Sequence, residues 1–215
     1  MSSKRIILCL IVLFAVKTCA LNVKTADSND TDLYPAASLR FLHDGNRNEK
    51  RLSPYDFLIK KYSAAIGIDW RLLAAVIWHE SKFDAGAQSE MSAKGLMQLR
   101  DVTALHFGQP DADLFDAETN ISLGSKLIAE RLEQFRKEGM EESDALRFAL
   151  ASYNSGGGAL ASRRDEALER GLDPSKWEDV AKVYADYSTV TPAYIQAVEE
   201  TYERYCRLYR AASAN

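Results

Sequence analysis

The sequence predicts an all-α fold, and two observations carry this prediction. After residue 50, apolar side chains recur every three to four positions in several successive stretches, which is the spacing of one helix face. No stretch alternates apolar and polar residues convincingly over six positions, as a half-exposed strand would. The chain of 215 residues is long enough for one domain with a substantial core.

The first twenty residues predict a signal peptide. Two basic residues precede an apolar run from Ile6 to Val16. This run is too short to span a bilayer, which takes ~20 residues, but it suits the core of a signal peptide. We expect residues 1–20 to be cleaved after Ala20. In the alternative, Cys19 becomes the lipidated N-terminus of an outer-membrane lipoprotein, although Lys17 and Thr18 fit a lipoprotein cleavage box loosely.

Residues 21–52 are polar and weakly patterned, and we predict that they form a flexible linker. Residues 53–215 then form the folded domain. Only Cys206 lies in this domain, so it holds no internal disulfide, and we expect a packed thiol. The chain has 27 Lys and Arg against 31 Asp and Glu, and it becomes more acidic once residues 1–20 are removed. This balance argues against a nucleic acid partner.

The first half of the folded domain predicts three helices. Ser53 and Pro54 are typical of the start of the first helix, which ends at Gly67. Its predicted buried stripe consists of Phe57, Leu58, Tyr62 and Ile66. Asp69 is a good N-cap for the second helix, and the short turn between the two predicts a helical hairpin. Residues 85–94 lack helical periodicity and predict a loop, and residues 96–107 predict the third helix.

The second half predicts five more helices. Asp116 precedes a long apolar pattern over residues 117–137, and residues 146–153 form a strongly apolar stretch that runs into three glycines. Residues 159–170 and 175–186 predict two shorter helices. Pro192 occupies a first-turn position of the last helix.

Glu80 is the candidate catalytic residue. It continues the apolar face formed by Leu73, Val76 and Ile77, so a carboxylate lies on the side of the helix that faces the core. An unpaired buried carboxylate costs several kcal/mol, and a raised pKa that keeps it protonated is the cheaper outcome. A protonated acid in a half-apolar cleft suits general acid catalysis. The alternative is a core glutamate satisfied by an arginine or a backbone amide.

Several short motifs together resemble the lytic transglycosylase family. They are the Glu80–Ser81 pair, Ser89, the run from Gly95 to Leu99 fifteen residues after the glutamate, and Tyr153–Asn154 followed by glycines. The resemblance covers about residues 53–209. It implies an all-α, lysozyme-like helical domain of the goose-type lysozyme and transglycosylase kind, with a substrate cleft.

The resemblance also implies the reaction and its site. Glu80 would act first as acid and then as base on the bond between N-acetylmuramic acid and N-acetylglucosamine in peptidoglycan, without water. Six residues match positions of the family's substrate-binding site: Ser89, Met97, Gln98, Tyr153, Asn154 and Tyr194. At the family positions that these residues match, the Tyr153 hydroxyl could orient Glu80 and Tyr194 would close over the acid. Core packing remains the alternative for Met97 and for Tyr194.

The remaining expectations concern partners, cofactors and location. We expect no metal and no cofactor, because His43, His79 and His106 have no ligand-like spacing. The expected partner is the glycan strand of peptidoglycan, and the protein is expected to be a monomer in the periplasm or cell envelope, with membrane anchoring if Cys19 is lipidated.

Two other functions remain open. One is a hydrolytic, lysozyme-like muramidase, which would want a second carboxylate across the cleft. Asp84 and Glu90 are near in sequence but are typical of a turn and an exposed loop. The other is a non-catalytic peptidoglycan-binding protein.

Overall fold

The structure, a computed structural model, describes residues 51–213, and side chains up to residue 209. The predicted signal peptide and almost all of the predicted linker lie outside this part. The described part contains eight helices, which are α1 (Asp56–Ile66), α2 (Trp70–Ser81), α3 (Asp101–His106), α4 (Ala117–Lys137), α5 (Glu142–Ser155), α6 (Gly157–Glu169), α7 (Trp177–Ala185) and α8 (Val190–Ser213). Two isolated antiparallel bridges, Gln88 with Lys94 and Lys94 with Leu99, are the only strand-like pairing in it. The all-α prediction is confirmed.

The core is organised around α5, which packs against α4, α6, α7 and α8. Its residues Phe148, Ala149, Leu150 and Ala151 are completely buried. The helix that carries Glu80, α2, packs between α1 and α8, and its contact with α8 is among the most extensive in the domain. The candidate catalytic residue is therefore held by the first and last parts of the domain.

The beginning of α2 is fixed as the sequence predicts. The Asp69 carboxylate accepts the backbone N–H of Arg71 at 2.9 Å and also binds its guanidinium group. The Tyr202 hydroxyl on α8 donates to the same carboxylate at 3.2 Å. The N-cap thus joins α2 to the last helix as well as starting it.

The first helix differs from its prediction at both its start and its buried face. It begins at Asp56, because the Ser53 hydroxyl accepts the N–H of Tyr55 while the Asp56 carboxylate accepts the N–H of Ser53. Phe57, which we placed in the buried stripe, is 78% exposed, whereas Ile59 is fully buried. The apolar pattern misleads here because polar residues, Asp56 and Ser63, also occupy the buried face.

The predicted helix over residues 96–107 is wrong in its first half. Residues 95–99 form a tight turn, and α3 begins only at Asp101. The amide of Asn120 on α4 accepts the N–H of Met97 at 2.7 Å and donates to the carbonyls of Lys94 at 2.9 Å and Leu114 at 2.7 Å. These long-range bonds replace helical ones, and we call residues 95–99 the anchored turn.

Gly95 shows why the anchored turn requires its particular sequence. Its φ is +73°, and a Cβ placed there would lie 2.2 Å from the Leu114 carbonyl oxygen and 2.5 Å from the Asn120 amide nitrogen. The Leu114 backbone and the fully buried Asn120 amide could shift to admit a Cβ only at a substantial cost in free energy. A glycine is therefore needed both for its backbone conformation and for its lack of a side chain.

The other helices follow the prediction closely. The long helix spans residues 117–137 with the Asp116 side chain as its N-cap, and Pro192 lies in the first turn of α8. The apolar helix α5 begins at Glu142, four residues before its predicted start. Cys206 is a buried free thiol on α8. Within the described residues, no helix is both long and apolar enough to cross a membrane.

Asn120→Ala is predicted to destabilise the domain. The substitution leaves the buried N–H of Met97 and the carbonyl of Leu114 without their present partner, which costs roughly 3 kcal/mol of unfolding free energy. Urea unfolding measures this loss. Ser122→Ala on the same helix is the control and should change stability by less than about 0.5 kcal/mol. A loss of unfolding free energy below about 1 kcal/mol in Asn120→Ala would show that the anchored turn is stable without the Asn120 hydrogen bonds.

Candidate active site

Glu80 lies near the end of α2, on the face that α8 covers. The Tyr194 hydroxyl, on the first turns of α8, donates to Glu80 Oε1 at 2.6 Å. Burial raises the pKa of the Tyr194 phenol well above its usual value, so the hydroxyl remains a donor. The two residues are 114 positions apart in the chain, and the predicted proximity of Tyr194 to the acid is found in the structure.

Burial raises the pKa of Glu80 from 4.5 to about 7, while the Tyr194 hydrogen bond and the positive charge of Lys82 act to lower it. The carboxyl is therefore partly protonated at neutral pH. It is able to give up a proton and to take one back in the same pH range. This is the property that general acid and base catalysis requires of a single group.

The Tyr153 hydroxyl does not bond to Glu80, and the role of orienting the acid that we expected for it is wrong. It donates instead to the Met97 carbonyl at 2.5 Å. The pKa of Tyr153 is raised well above its usual value, first by burial and then by the nearby charge of Glu80. Tyr153 therefore lies close to the acid but fixes the anchored turn, because the turn carbonyl is the acceptor within its reach.

Ser81 connects the catalytic helix to the same turn. Its hydroxyl is buried and donates to the Leu96 carbonyl at 2.8 Å. The anchored turn is consequently held from three helices at once, by Ser81 on α2, Asn120 on α4 and Tyr153 on α5. This convergence places the turn beside Glu80.

Met97 contributes to packing. Its side chain is completely buried, and it lies so close to Gly124 that a Cβ on that glycine would be 2.4 Å from the Met97 sulfur. This placement favours the core-packing alternative for Met97. Its backbone, which is bonded on both sides, positions the neighbouring Gln98.

A cleft of about 410 Å³ brings together three of the predicted binding residues, Gln98, Tyr153 and Asn154. The Gln98 amide donates to the carbonyls of Ala87 and Gly95, at 3.1 and 3.0 Å. Asn154 is exposed, and its side-chain oxygen accepts the Thr191 hydroxyl at 2.9 Å, which ties the end of α5 to the start of α8. Both side chains are thus held in place at the border of the cleft.

Ser89 lies apart from the residues that border this cleft. It is exposed in the loop after α2, and its hydroxyl accepts the N–H of Ala93 at 3.0 Å. That bond shapes the loop. A role for Ser89 in binding a sugar stays a prediction.

No second carboxylate bonds to Glu80 within the described residues. The Asp84 side chain accepts the N–H of Gly86 at 2.8 Å, and Glu90 is exposed in the following loop. In the same part of the chain, no group of three or more His, Cys, Asp or Glu side chains is arranged to hold a metal ion.

Sequence reasoning missed Asn120, the residue that holds the anchored turn. The signal was present, because a polar Asn120 lies in phase with the apolar residues of its helix, Leu123 and Leu127. A buried amide in such a place must satisfy its donors and acceptor. The helical pattern does not show that the hydrogen-bond partners of Asn120 lie outside its own helix.

Solved structures identify the class of protein that has this fold. The chain superposes on the 70 kDa soluble lytic transglycosylase of Escherichia coli with a TM-score of 0.57 at 24% identity, over 73% of this chain and 24% of that one. An inactive glutamate-to-glutamine mutant of the lytic transglycosylase Slt from Pseudomonas aeruginosa gives a TM-score of 0.54 at 24% identity, over 74% of this chain and 25% of that one. The predicted lysozyme-like transglycosylase fold is confirmed.

The model of the Transglycosylase SLT domain family matches residues 57–174, more than half of the chain. The chain therefore belongs to this family. It is 41% identical over 134 residues to membrane-bound lytic murein transglycosylase F of Desulfosudis oleivorans, which is 62% of this chain and 29% of that protein. The protein of the same name from Pseudomonas fluorescens is 37% identical over 135 residues, or 63% and 27%. The matched region spans less than a third of these relatives.

Glu80→Gln is predicted to remove a pH-dependent part of the stability. Because burial raises the pKa of Glu80 from 4.5 to about 7, the carboxyl is neutral in the folded state at pH values where it is ionised in the unfolded state. The folded state is therefore favoured most below pH 4.5, and this stability is lost as the pH rises through about 7. At pH 8 the ionised form costs about 3 kcal/mol, so the variant should be more stable by up to that amount. The two proteins should be nearly equal at pH 4.

Urea unfolding of both proteins at pH 4 and pH 8 tests this expectation. The difference between them isolates Glu80 from other groups, including His79, whose pKa burial lowers to about 4. A difference that does not change between the two pH values would mean that Glu80 titrates as a solvated carboxyl.

Proposed function

We propose that this domain is a lytic transglycosylase that cleaves peptidoglycan between N-acetylmuramic acid and N-acetylglucosamine. The single observation that supports it most is the partly buried Glu80, with a pKa of about 7 and a phenol hydroxyl 2.6 Å away. Membership of the SLT family supports the same activity. The names of the relatives describe murein as their substrate, and this proposal extends it to the present chain.

In the proposed reaction, Glu80 first acts as a general acid. Its proton passes to the glycosidic oxygen, the bond from that oxygen to C1 of the muramyl residue breaks, and N-acetylglucosamine leaves with a new hydroxyl. The substrate's own N-acetyl group assists the departure. Tyr194 donates a hydrogen bond to the carboxylate that forms, which stabilises its charge in a place largely shielded from water.

Glu80 then acts as a base. It takes the proton of the muramyl C6 hydroxyl, and the oxygen closes on C1 to form a 1,6-anhydro ring. The carboxyl is thereby returned to its protonated state, and no water is consumed. The hydrolytic route needs a second carboxylate about 5–9.5 Å from the acid, as base or nucleophile. Of the two carboxylates near Glu80 in sequence, Asp84 accepts the N–H of Gly86 and Glu90 is exposed in the loop, which supports the route without water.

Gln98, Asn154 and Tyr153 support substrate binding in this proposal. Amide groups held at the border of a cleft are suited to the hydroxyl and acetamido groups of sugars. We also propose that the protein is exported, from the apolar run Ile6–Val16, and that the mature protein is a monomer. N-terminal sequencing of the mature protein tests whether residues 1–20 are removed and whether Cys19 is modified.

Mass spectrometry of digested sacculi tests the proposed reaction. We expect 1,6-anhydromuropeptides from the wild-type protein, and at least ~100-fold less product from Glu80→Gln, the lower end of general acid contributions. Reducing muropeptides would instead identify a hydrolytic muramidase. No release by a folded wild-type protein would identify a binding protein.

Tyr194→Phe and Tyr153→Phe form a matched pair for the role of the hydroxyl on the acid. The Tyr194 hydrogen bond lowers the pKa of Glu80, so its removal should move the alkaline limb of the pH–rate profile to higher pH and lower the turnover. Tyr153→Phe loses only a bond to the Met97 carbonyl, with a cost on the order of 1 kcal/mol in stability and no comparable shift. Equal shifts in the two variants would contradict a specific role for Tyr194.

A further inference from the structure

A second groove lies along the junction of α2 and α8, beginning one helical turn beyond the contact between Tyr194 and Glu80. Its volume is about 580 Å³. Its walls include Trp78, His79 and Lys82 from the end of α2, and Ala197, Thr201 and Arg204 from α8. The groove therefore adjoins the acid, and the cleft lined by Gln98 and Asn154 is a separate cavity.

Lys82 brings a positive charge to this groove, which Arg204 and Arg207 also line. Its ammonium group lies 4.7 Å from the centre of the Trp78 ring, and Lys82 forms no ion pair within the described residues. The acidic residues of the groove have other partners. Glu200 accepts the Gln196 amide at 2.8 Å, and Glu203 pairs with Arg207 at 3.8 Å.

Histidine adds no charge to the groove near neutral pH. His79 forms a hydrogen bond of 2.9 Å with the Thr201 hydroxyl, and burial lowers its pKa to about 4. The pKa of the Lys82 ammonium is also lowered by burial, although the Glu80 charge acts to raise it. An anion in the groove would recover part of the hydration that the ammonium has lost.

The backbone at Lys82 determines where its side chain leaves the end of α2. The residue ends α2 in the left-handed conformation, with φ of +55°, and its N–H donates to the Trp78 carbonyl at 3.0 Å. Trp78 itself is only 6% exposed, so the ring beneath the ammonium is held by the core. The Trp78 ring therefore gives the exposed Lys82 side chain a fixed surface to pack on, which reduces the freedom that the side chain loses when it binds a ligand.

The proposed substrate offers an anion at a suitable distance. The sugar rings of the glycan strand are uncharged, but the peptides attached to muramic acid carry carboxylates. Thr201 lies seven residues beyond Tyr194, or about 10 Å along α8. Three extended peptide residues span about 10 Å, so a peptide attached to a sugar beside Glu80 reaches the groove.

We propose that the groove between α2 and α8 binds the peptide substituents of the glycan strand, and that Lys82 pairs with one of their carboxylates. This inference rests on the proposed function, and it assigns to Lys82 a role in choosing between peptide-bearing and bare strands. In this proposal the uncharged sugars bind in the cleft lined by Gln98 and Asn154.

The test compares two substrates, peptide-bearing glycan strands and strands from which an amidase has removed the peptides. On the first, Lys82→Met should lower kcat/KM at least about 10-fold, the scale of one charge-assisted hydrogen bond. On the second, with each variant assayed at its own pH optimum because the Lys82 charge also lowers the pKa of Glu80, the effect should be less than about 2-fold. Lys82→Arg should retain most of the preference, since the charge is kept. Lys126→Met, at an exposed lysine of α4, is the control.

Three outcomes would overturn the inference. A loss of equal size on both substrates, with a shifted alkaline limb of the pH–rate profile, would mean that Lys82 acts through Glu80. A loss confined to the stripped strands would assign the anion to the free lactyl carboxylate that the amidase exposes. An unchanged kcat/KM on both substrates would mean that Lys82 does not bind the peptide.

A binding measurement separates this inference from the proposed function. Calorimetric titration of Glu80→Gln with a soluble disaccharide tetrapeptide should give a Kd that rises at least about 10-fold when Lys82→Met is added. If the wild-type protein releases no product from either substrate, the proposed reaction fails. The titration still tests whether the groove binds the peptide, because binding needs no turnover. An unchanged Kd would refute the inference.

Discussion

The contact between α2 and α8 is the constraint on which the site depends. The two helices run antiparallel, and three hydroxyls of α8 reach polar groups of α2 at successive levels: Tyr202 reaches Asp69, Thr201 reaches His79 and Tyr194 reaches Glu80. These hydrogen bonds are directional and partly buried, and they fix the register of the two helices in a way that apolar packing alone does not. The result is that the last helix of the domain covers the acid and gives it its hydrogen-bond partner.

The anchored turn is the second fixed point, and its construction explains why so much of the site consists of residues that do no chemistry. Ser81, Asn120 and Tyr153 each bind a backbone group of residues 94–99. Their side chains substitute for the backbone bonds that a helix would have made. Gln98 can therefore adopt a left-handed conformation, with φ of +46°, at the border of the cleft. Strain at that residue is supported by the bonds around it.

The electrostatics of the site follow from a balance around a single carboxyl. Burial favours its neutral form, while one phenol and the charge of Lys82 favour the charged form. Burial has the larger effect, and the two opposing groups limit the rise, so the pKa of Glu80 falls near neutrality. A paired guanidinium in the same place would have produced a permanently ionised carboxylate, as an Arg or Lys close to an acid does elsewhere in proteins.

The sequence by itself determined the helical class, the long helix over residues 117–137 and the position of Glu80 on an apolar face, because these depend on local periodicity and capping. It also indicated that Tyr194 lies near the acid, through its resemblance to a family. Local patterns failed where polar residues occupy buried positions, as at Asp56 and Asn120. Only the tertiary structure decided that residues 95–99 form a turn, that the Tyr153 hydroxyl binds a carbonyl and that Lys82 faces a groove. The physical reason is that each of these depends on a partner distant in the chain, and periodicity carries no information about such partners.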